Sequence, residues 1–236
     1  MIKFYFHPTP NPIKVALFLE ESGLEYEALP VDTRRGEQHG DAFRLVNPNG
    51  KVPAIVDTDG PGHAEARVFD SNAILLYLGD KTSRFIGSAS DRPELLSWLM
   101  FVATGLGPYS GQSVHFQRAA PEPIPYAINR YRREAQRHYR VLDEHLANRE
   151  TMVGLEYTIV DMATFGWIDR AAFVLGKPEK PLEDYPNLDR WFAMVQARPA
   201  VARARALMAS HSFKTEMDEA ALRAMFPSNF PEPSTR

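Results

Sequence analysis

Thr9 and Asn11 lie in a proline-rich turn, "HPTPNP", between a strand-like run and an apolar helix. Hydroxyl and amide side chains at a helix N-terminus, where backbone N–H groups are free, are suited to hold an anion. The chain contains no cysteine, so it has no disulfide, no thiolate metal site and no thiol nucleophile of its own. If the anion is a sulfur anion, the sulfur must therefore arrive on a ligand.

The energy needed to hold a thiolate can be compared with what this turn offers. A free thiol has a pKa near ~8.5 and reacts as the thiolate. Lowering that pKa by about two units requires about 2.7 kcal/mol of preferential stabilisation of the anion. A helix N-terminus supplies about 0.3–1 kcal/mol, and a hydrogen bond to a charged group adds about 1.5–3 kcal/mol. The helix end alone is insufficient, whereas one bond from Thr9 or Asn11 closes the gap.

The same residues also admit ordinary structural interpretations. Asn11 precedes Pro12 and can cap the first helix, while Thr9 can stabilise the turn. Tyr5 is a competing donor to a thiol, but it lies inside the strand, where packing in the core is its usual role. His7 can be a proton shuttle or a packed imidazole.

The composition limits the classes of partner. The chain has 236 residues, 44% of them hydrophobic and 24% charged, with a formal net charge of -3, which does not favour nucleic-acid binding. No apolar run approaches the roughly 18 residues of a membrane helix, and a proline interrupts the N-terminus too early for a signal peptide. The seven histidines form no metal-binding pattern. We expect a cytoplasmic protein with no nucleic-acid, membrane or metal partner.

The first 82 residues mix strand and helix patterns and predict a small α/β domain. Strands are predicted at residues 2–6, 26–31, 53–57 and 66–70, the last two as a hairpin, and helices at 12–21 and 70–82. Residues 32–43 are predicted to be a loop with a short helix. Either Asp70 or Ser71 is expected to cap the second long helix.

Strand patterns end after a predicted linker at residues 83–90, and residues 91–210 predict an all-helical domain. The predicted helices are 91–105, 126–148, 157–176, 186–198 and 200–209, and residues 107–125 are predicted to be a loop. Thr158 and Asp161 fit a capping box at a helix start. Residues 211–236 predict a tail with one short helix and a disordered end.

Three motifs together resemble the soluble glutathione transferases. They are "NPNGKVPAIVD" (47–57), similar to the family's turn into a cis-proline strand, "FDSNAILLYL" (69–78), similar to its glutathione-recognition helix, and "YTIVDMA" (157–163), similar to its second-domain capping box. The resemblance implies a thioredoxin-like N-terminal domain followed by a C-terminal helical bundle. "YFHPTPNPIKVALFLEE", "GEQ", "GLGPYSGQ" and "AAPEPIPYAINRY" look like the Nu class, the bacterial transferases with disulfide-bond oxidoreductase activity. Pro12 and His7 depart from that pattern.

The resemblance implies that glutathione is a cosubstrate and that specific residues bind each part of it. Thr9 and Asn11 would hold the thiolate as the catalytic residues. The implied binding residues are Val52 with cis-Pro53 for the cysteinyl unit, Ser71 and Asp70 for the γ-glutamyl end, Lys51 and Gln38 for the glycyl end, and Arg130, reached either within the subunit or across a dimer. Tyr109, Gln112 and His115 are candidates for lining the second-substrate cavity.

Two functions of different kinds follow from this resemblance. The first is an enzyme that activates glutathione to reduce small disulfides or to conjugate electrophiles, as a homodimer. The second is a regulatory protein that binds glutathione or a hydrophobic ligand with little turnover, since a fold does not by itself specify an activity.

Overall fold

A four-stranded mixed sheet forms the first part of the chain in the computed structural model, which describes residues 1–230. The strands are β1 (Ile2–Phe6), β2 (Tyr26–Pro30), β3 (Ala54–Asp57) and β4 (Ala66–Phe69). Their order is β2-β1-β3-β4, with β2 parallel to β1 and the two other pairs antiparallel. The predicted βαβ half and hairpin half are both confirmed.

The helices divide between the sheet and a second, all-helical part. The helices that accompany the sheet are α1 (Pro10–Ser22), α2 (Asp41–Arg44) and α3 (Ser71–Thr82). The remaining helices are α4 (Arg92–Phe101), α5 (Gly107–Arg118), α6 (Pro125–His145), α7 (Ile159–Ile168), α8 (Ala171–Leu175), α9 (Pro186–Gln196), α10 (Pro199–Ala209) and α11 (Glu219–Met225). This is the predicted thioredoxin-like fold followed by a helical bundle. We propose residues 1–82 and 91–210 as the two domains, joined by a linker at 83–90, because α3 ends at Thr82 and α4 begins at Arg92.

Burial explains why β1 and α1 lie at the centre of the molecule. Ile2, Phe4 and Phe6 alternate along β1 and are buried, as the period of two requires. Every residue of α1 from Pro12 to Leu19 is buried, which fits its nearly continuous apolar sequence. The helix is packed against α3, α7 and α10, and its buried residues share one core cluster with those of β1. None of the helices within residues 1–230 has the length and apolarity needed to cross a membrane.

The prediction of a loop at residues 107–125 is wrong for its first twelve residues, which form α5. Pro108 lies in the first turn of this helix, where a missing N–H costs nothing. Glycines, which weaken a helix in isolation, are needed for packing here, since a Cβ on Gly107 would lie 3.0 Å from Nε1 of Trp167. A five-residue π-helical segment, Val102–Leu106, joins α5 to the helix before it.

One further prediction about the second half is wrong in part, and another is incomplete. The helix predicted at 157–176 is divided into α7 and α8, with a break at Asp169 and Arg170. The tail predicted from residue 211 contains the one short helix expected there, α11, and it also bonds to the first domain, which the sequence did not indicate. Residues 211–230 are here called the C-terminal segment. The predicted disordered end falls partly on residues 231–236, outside the described residues. The capping box of Thr158 and Asp161 is confirmed.

Gly166 sets the distance between the two parts of the protein. It lies on α7 where that helix crosses α1, and a Cβ there would be 2.3 Å from the carbonyl oxygen of Pro10. The same Cβ would lie 2.7 Å from Cγ of Lys14. The two helices can therefore approach each other this closely only because residue 166 has no side chain.

We expect Gly166→Ala to lower the free energy of unfolding by about 1–3 kcal/mol or more, since the clash involves backbone that cannot rotate away. Thermal or urea unfolding measures this. The matched control is Gly111→Ala in α5, whose Cβ would meet Trp167 at an ordinary 3.4 Å. That control should be neutral or slightly stabilising, because alanine favours a helix interior over glycine. Equal stability of Gly166→Ala and the wild type would contradict the role assigned to this glycine.

Candidate functional site

Thr9 is the N-cap residue of α1, and its side chain makes no capping hydrogen bond. Its hydroxyl has only a long contact of 3.5 Å to the carbonyl oxygen of His7. Asn11 lies in the first turn and does not cap the helix, so that alternative interpretation is wrong. Both residues are partly exposed. The hydroxyl of Thr9 is thus free to donate a hydrogen bond outward.

The backbone around this turn offers fewer donors than an ordinary helix start. Of the amides that a helix start leaves free, those at residues 10 and 12 are missing because both are prolines. The N–H of Thr9 is bonded to the carbonyl oxygen of His7 at 2.7 Å. The N–H of Asn11 remains. An anion held at this turn therefore depends more strongly on the two side chains than the sequence alone indicates.

His7 and Tyr5 are packed residues. The ring of His7 lies 4.6 Å from that of Phe213, its Nδ1 is 3.2 Å from the carbonyl oxygen of Val31, and burial lowers its pKa. The ring of Tyr5 packs edge-on against Phe43 with centroids 5.6 Å apart. Tyr5 thus lies on the sheet, away from the turn of Thr9, and its position favours the packing interpretation.

The segment before β3 carries three of the predicted binding residues. The peptide bond between Val52 and Pro53 is cis, as the resemblance implied. The pairing of β3 with its neighbours begins at Ala54, so the backbone of Val52 lies just outside the ladder. The carbonyl oxygen of Lys51 accepts a bond from Nδ2 of Asn47 at 2.5 Å. Val52 can therefore offer its own backbone groups to an extended ligand.

The start of α3 is built around Asp70 and Ser71. Oδ1 of Asp70 accepts from the amides of Asn72 and Ala73 at 2.9 and 3.3 Å, so Asp70 is the N-cap that the sequence predicted. Ser71 is buried, and its Oγ accepts a bond from Nζ of Lys14 at 3.3 Å. This bond connects the starts of α1 and α3.

The C-terminal segment covers the residues predicted to bind the glycyl end. Nε2 of Gln38 donates to the carbonyl oxygen of Ala224 at 2.9 Å, and Gln38 is buried. Arg34 donates to the carbonyl oxygens of Lys214 and Thr215 at 2.8 and 2.9 Å. The amide of Lys214 donates to Asp32 at 2.7 Å. Sequence patterns could not predict these contacts, because about 180 residues separate the partners.

Two cavities flank the C-terminal segment. The Lys51 cavity has a volume of about 1230 Å³, and its lining includes Arg34, Lys51, Gln112, His115, Arg118 and Phe226. Its charged lining residues are cations. Burial lowers the pKa of His115, whose ring packs 4.8 Å from that of Phe226. This cavity is suited to a large ligand with negative charge.

The Thr9 cavity has a volume of about 640 Å³ and opens beside the turn. Its lining includes Thr9, Ile13, Asp169, Arg170, Arg205 and Phe213. Asp169 forms an ion pair with Arg205 in this wall. Thr9 thus faces a cavity large enough for a small second substrate.

Tyr109 and Arg130 are placed elsewhere. Tyr109 packs with ring centroids 5.3 Å from His138 and 6.3 Å from Tyr131, and it is not among the lining residues of the Lys51 cavity. Arg130 lies on α6 and pairs with Glu134 on the same helix at 3.1 Å. Neither residue is brought to the turn of Thr9 within the described chain.

Lys14 is the charged residue that the sequence interpretation missed. It is buried on α1, and burial lowers its pKa to about 7. A signal was present, because a lysine interrupts the apolar run "PIKVALFLEE". No group of three His, Asp or Glu side chains among residues 1–230 is arranged to hold a metal ion.

Two family models match the chain. One, described as glutathione S-transferase, N-terminal domain, matches residues 9–81, and one described as glutathione S-transferase, C-terminal domain, matches residues 125–199. Among the curated relatives is the disulfide-bond oxidoreductase YfcG of Escherichia coli, 41% identical over 86% of this chain and 94% of its own length. The disulfide-bond oxidoreductase YghU of the same organism is 39% identical over 86% of this chain and 74% of its own.

Solved structures resemble the whole arrangement. A glutathione transferase family member from Pseudomonas fluorescens, with two glutathione molecules bound, has a TM-score of 0.82 and 40% identity, covering 86% of this chain and 91% of its own. A glutathione transferase from Pseudomonas putida, with one glutathione disulfide per subunit, has a TM-score of 0.79 and 35% identity, covering 86% and 90%.

Proposed function

Since the chain belongs to the glutathione S-transferase family, we propose that it binds glutathione as the thiolate and reduces small disulfides with it. Conjugation of glutathione to electrophiles is a second reaction that the same thiolate supports. Disulfide reduction is placed first because both curated relatives described above are named disulfide-bond oxidoreductases.

One observation carries this proposal: the hydroxyl of Thr9, with only a 3.5 Å contact to the carbonyl oxygen of His7, faces a cavity at a helix start, with Asn11 in the same turn, in a chain without cysteine. A hydrogen bond from one of them to a thiolate contributes about 1.5–3 kcal/mol. The dipole of α1 adds up to about 1 kcal/mol in an exposed geometry. Together these lower the pKa of a bound thiol enough for it to react near neutral pH.

The proposed position of the tripeptide follows from its two charged ends. Its cysteinyl unit would pair with the backbone of Val52, as an added strand pairs with a sheet edge. Its γ-glutamyl carboxylate would accept a hydrogen bond from the amide of Ser71 at the start of α3, where the helix dipole favours an anion. Its ammonium would meet Asp70, whose Oδ2 is not used in capping. Lys51 would then face the glycyl carboxylate.

Gln38 can join this set only by changing partner. Its Nε2 is bonded to the carbonyl oxygen of Ala224, so a glycyl carboxylate would have to replace that bond. Arg34, which lines the Lys51 cavity, is held in the same way by the C-terminal segment. We propose that this segment closes the glycyl end of the site. Arg130 would contribute only if a partner subunit brought it near.

The reaction needs no protein thiol. The bound thiolate attacks one sulfur of the disulfide, forming a mixed disulfide with glutathione and releasing the other sulfur as a thiolate. A second glutathione thiolate attacks the mixed disulfide, giving glutathione disulfide and the second product thiolate. Two electrons pass from two glutathione molecules to the substrate, and the product thiolates take up protons from water. The cationic Lys51 cavity, with Gln112 and His115, would hold the second, anionic molecule.

The proposed activity is tested by measuring glutathione-dependent reduction of 2-hydroxyethyl disulfide by the purified protein. Turnover above the uncatalysed rate is the expected result, because the turn lowers the pKa of the bound thiol. Binding to immobilised glutathione without turnover of any disulfide, peroxide or chlorodinitrobenzene would instead favour the regulatory alternative. If calorimetry detects no binding of either the reduced or the oxidised tripeptide, the enzyme is excluded, and the regulatory alternative is excluded as a glutathione-binding protein.

We also propose a cytoplasmic homodimer, as the sequence resemblance implied. A reaction that consumes reduced glutathione requires a compartment that keeps it reduced, which supports the location. Light scattering on a sizing column should give twice the chain mass of 26.7 kDa. A monomer mass at every concentration would contradict the dimer.

A further inference from the structure

Lys14 occupies a position that an ordinary lysine avoids. Its side chain is 1% exposed, and its Nζ donates one hydrogen bond, to Oγ of Ser71 at 3.3 Å. An ammonium has three donors, and burying it without a carboxylate partner is costly. The space for its stem exists because Gly166 has no side chain, since a Cβ there would be 3.1 Å from Cε of Lys14. A lysine kept in a slot of this kind requires an explanation beyond packing.

The surroundings of Lys14 contain little compensating negative charge. Asp70, at the start of α3, is the carboxylate whose charge raises the pKa of Lys14, while burial has the larger, opposite effect. The carboxylates of α1 itself are already engaged, Glu20 with Arg203 and Glu21 with Arg198. So are those of the α7 region that packs against it, Asp161 with Trp191 and Asp169 with Arg205. The nearest place for a new negative charge is therefore the start of α3.

We propose that Lys14 is a positioning residue for glutathione. The ammonium of Lys14 holds the hydroxyl of Ser71, and Ser71 in turn binds the glutathione carboxylate at the start of α3. The inference rests on the proposed function, because it takes glutathione as the ligand. Lys14 does not touch the ligand. Because its ammonium donates to Oγ of Ser71, the hydroxyl hydrogen of Ser71 points elsewhere and can be donated to the carboxylate.

The arrangement couples ligand binding to a proton on Lys14. With its pKa lowered to about 7, Lys14 is partly neutral at physiological pH. A bound carboxylate favours the charged form and raises that pKa, so binding takes up a proton. Affinity is then highest below about pH 7, where Lys14 is already charged, and falls as pH rises through the pKa values of the free and bound states.

The test uses S-methylglutathione, which keeps both carboxylates but has no titrating thiol. Calorimetry between about pH 6 and 8, in buffers of low and high ionisation enthalpy, measures both affinity and protons exchanged. For the wild type we expect uptake of a fraction of a proton near about pH 7.5 and an affinity that falls several-fold across this range. For Lys14→Met we expect no uptake, a flat pH dependence, and an affinity at least about fivefold weaker than the wild type near pH 6.

The matched control is Lys51→Met, which removes an exposed cation proposed to face the other carboxylate. It should weaken binding at every pH while leaving proton uptake and pH dependence unchanged. Lys14→Met should fold, since methionine has a similar shape and removes a buried charge. Lys14→Gln serves as a second neutral variant and should give the same flat profile.

The outcomes separate this inference from the function on which it rests. If the wild type does not bind the tripeptide analogue under any condition, the proposed function fails and the inference fails with it. If the wild type binds but its affinity does not depend on pH, the inference alone is wrong. It is equally wrong if Lys14→Met keeps the wild-type proton uptake, because the proton would then belong to another group.

Discussion

Replacement of both Thr9 and Asn11 by alanine is expected to lower kcat/KM for disulfide reduction by at least about tenfold, the equivalent of one lost bond to a thiolate. Neither side chain supports the helix: Thr9 makes no capping bond and Asn11 lies within the first turn. The double variant should therefore keep its melting temperature close to that of the wild type. The loss of activity would come from weaker stabilisation of the bound thiolate, since the variant turn retains a single free backbone amide, that of Asn11.

The pH profile of the same variant distinguishes thiolate stabilisation from a general loss of binding. Rates of the wild type should rise with pH around a lowered thiol pKa, and in the double variant the midpoint should move up towards the ~8.5 of a free thiol. Thr9→Ser keeps the hydroxyl and should retain most of the activity. Tyr5→Phe, which removes the competing phenol on the sheet, should leave both rate and profile unchanged. A loss of less than tenfold in kcat/KM for the double variant, or a large loss of kcat/KM for Tyr5→Phe, would contradict the role assigned to the turn.

The largest expected effect on stability is that of Asp161→Asn, which should lower the free energy of unfolding by about 3–5 kcal/mol. Asp161 is fully buried at the start of α7. Its Oδ1 accepts from the amide of Met152 at 3.0 Å and from Nε1 of Trp191 at 2.8 Å, and its Oδ2 accepts from the amide and hydroxyl of Thr158. Asparagine has the same shape but must place an NH₂ group against donors on one side, leaving them unsatisfied.

Urea unfolding, followed by far-ultraviolet circular dichroism, measures this loss. The chain contains its own control, since Asp91 completes a similar capping box with Ser88 on the surface. Water can replace the lost partner there, so Asp91→Asn should cost about 1 kcal/mol or less. If the two variants lose the same stability, burial of Asp161 is not what makes it important.

The turn of Thr9 and Asn11 was predictable from the sequence because its determinants are local. Three prolines, a threonine and an asparagine within six residues define the start of α1, and the alternation of Ile2, Phe4 and Phe6 defines the strand before it. The sequence pattern also predicted a cap at Asp70 or Ser71, and Asp70 is the N-cap of α3. The family resemblance added the cis bond at Pro53, which is found. The family itself is confirmed by the two matching family models.

The errors occurred where the local pattern conflicted with packing. Gly107, Pro108 and Gly111 are typical of a loop, but a helix forms there, and packing against Trp167 requires small residues at both glycine positions. The C-terminal residues from 211 have no strong periodic pattern, and their position depends on bonds to Asp32, Arg34 and Gln38. A pattern within a short window contains no information about such distant partners.

The sequence by itself determined the order of elements in the first domain and the absence of a protein thiol, because each depends on residues close together in the chain or on composition alone. Only the tertiary structure decided that Lys14 is buried beneath Ser71, that Gln38 is bonded to Ala224, and that two cavities lie beside the C-terminal segment. The physical reason is that burial and cavity shape depend on which surfaces of distant helices meet. A lysine on a helix is an exposed charge or a buried, partly neutral base depending on what covers that helix.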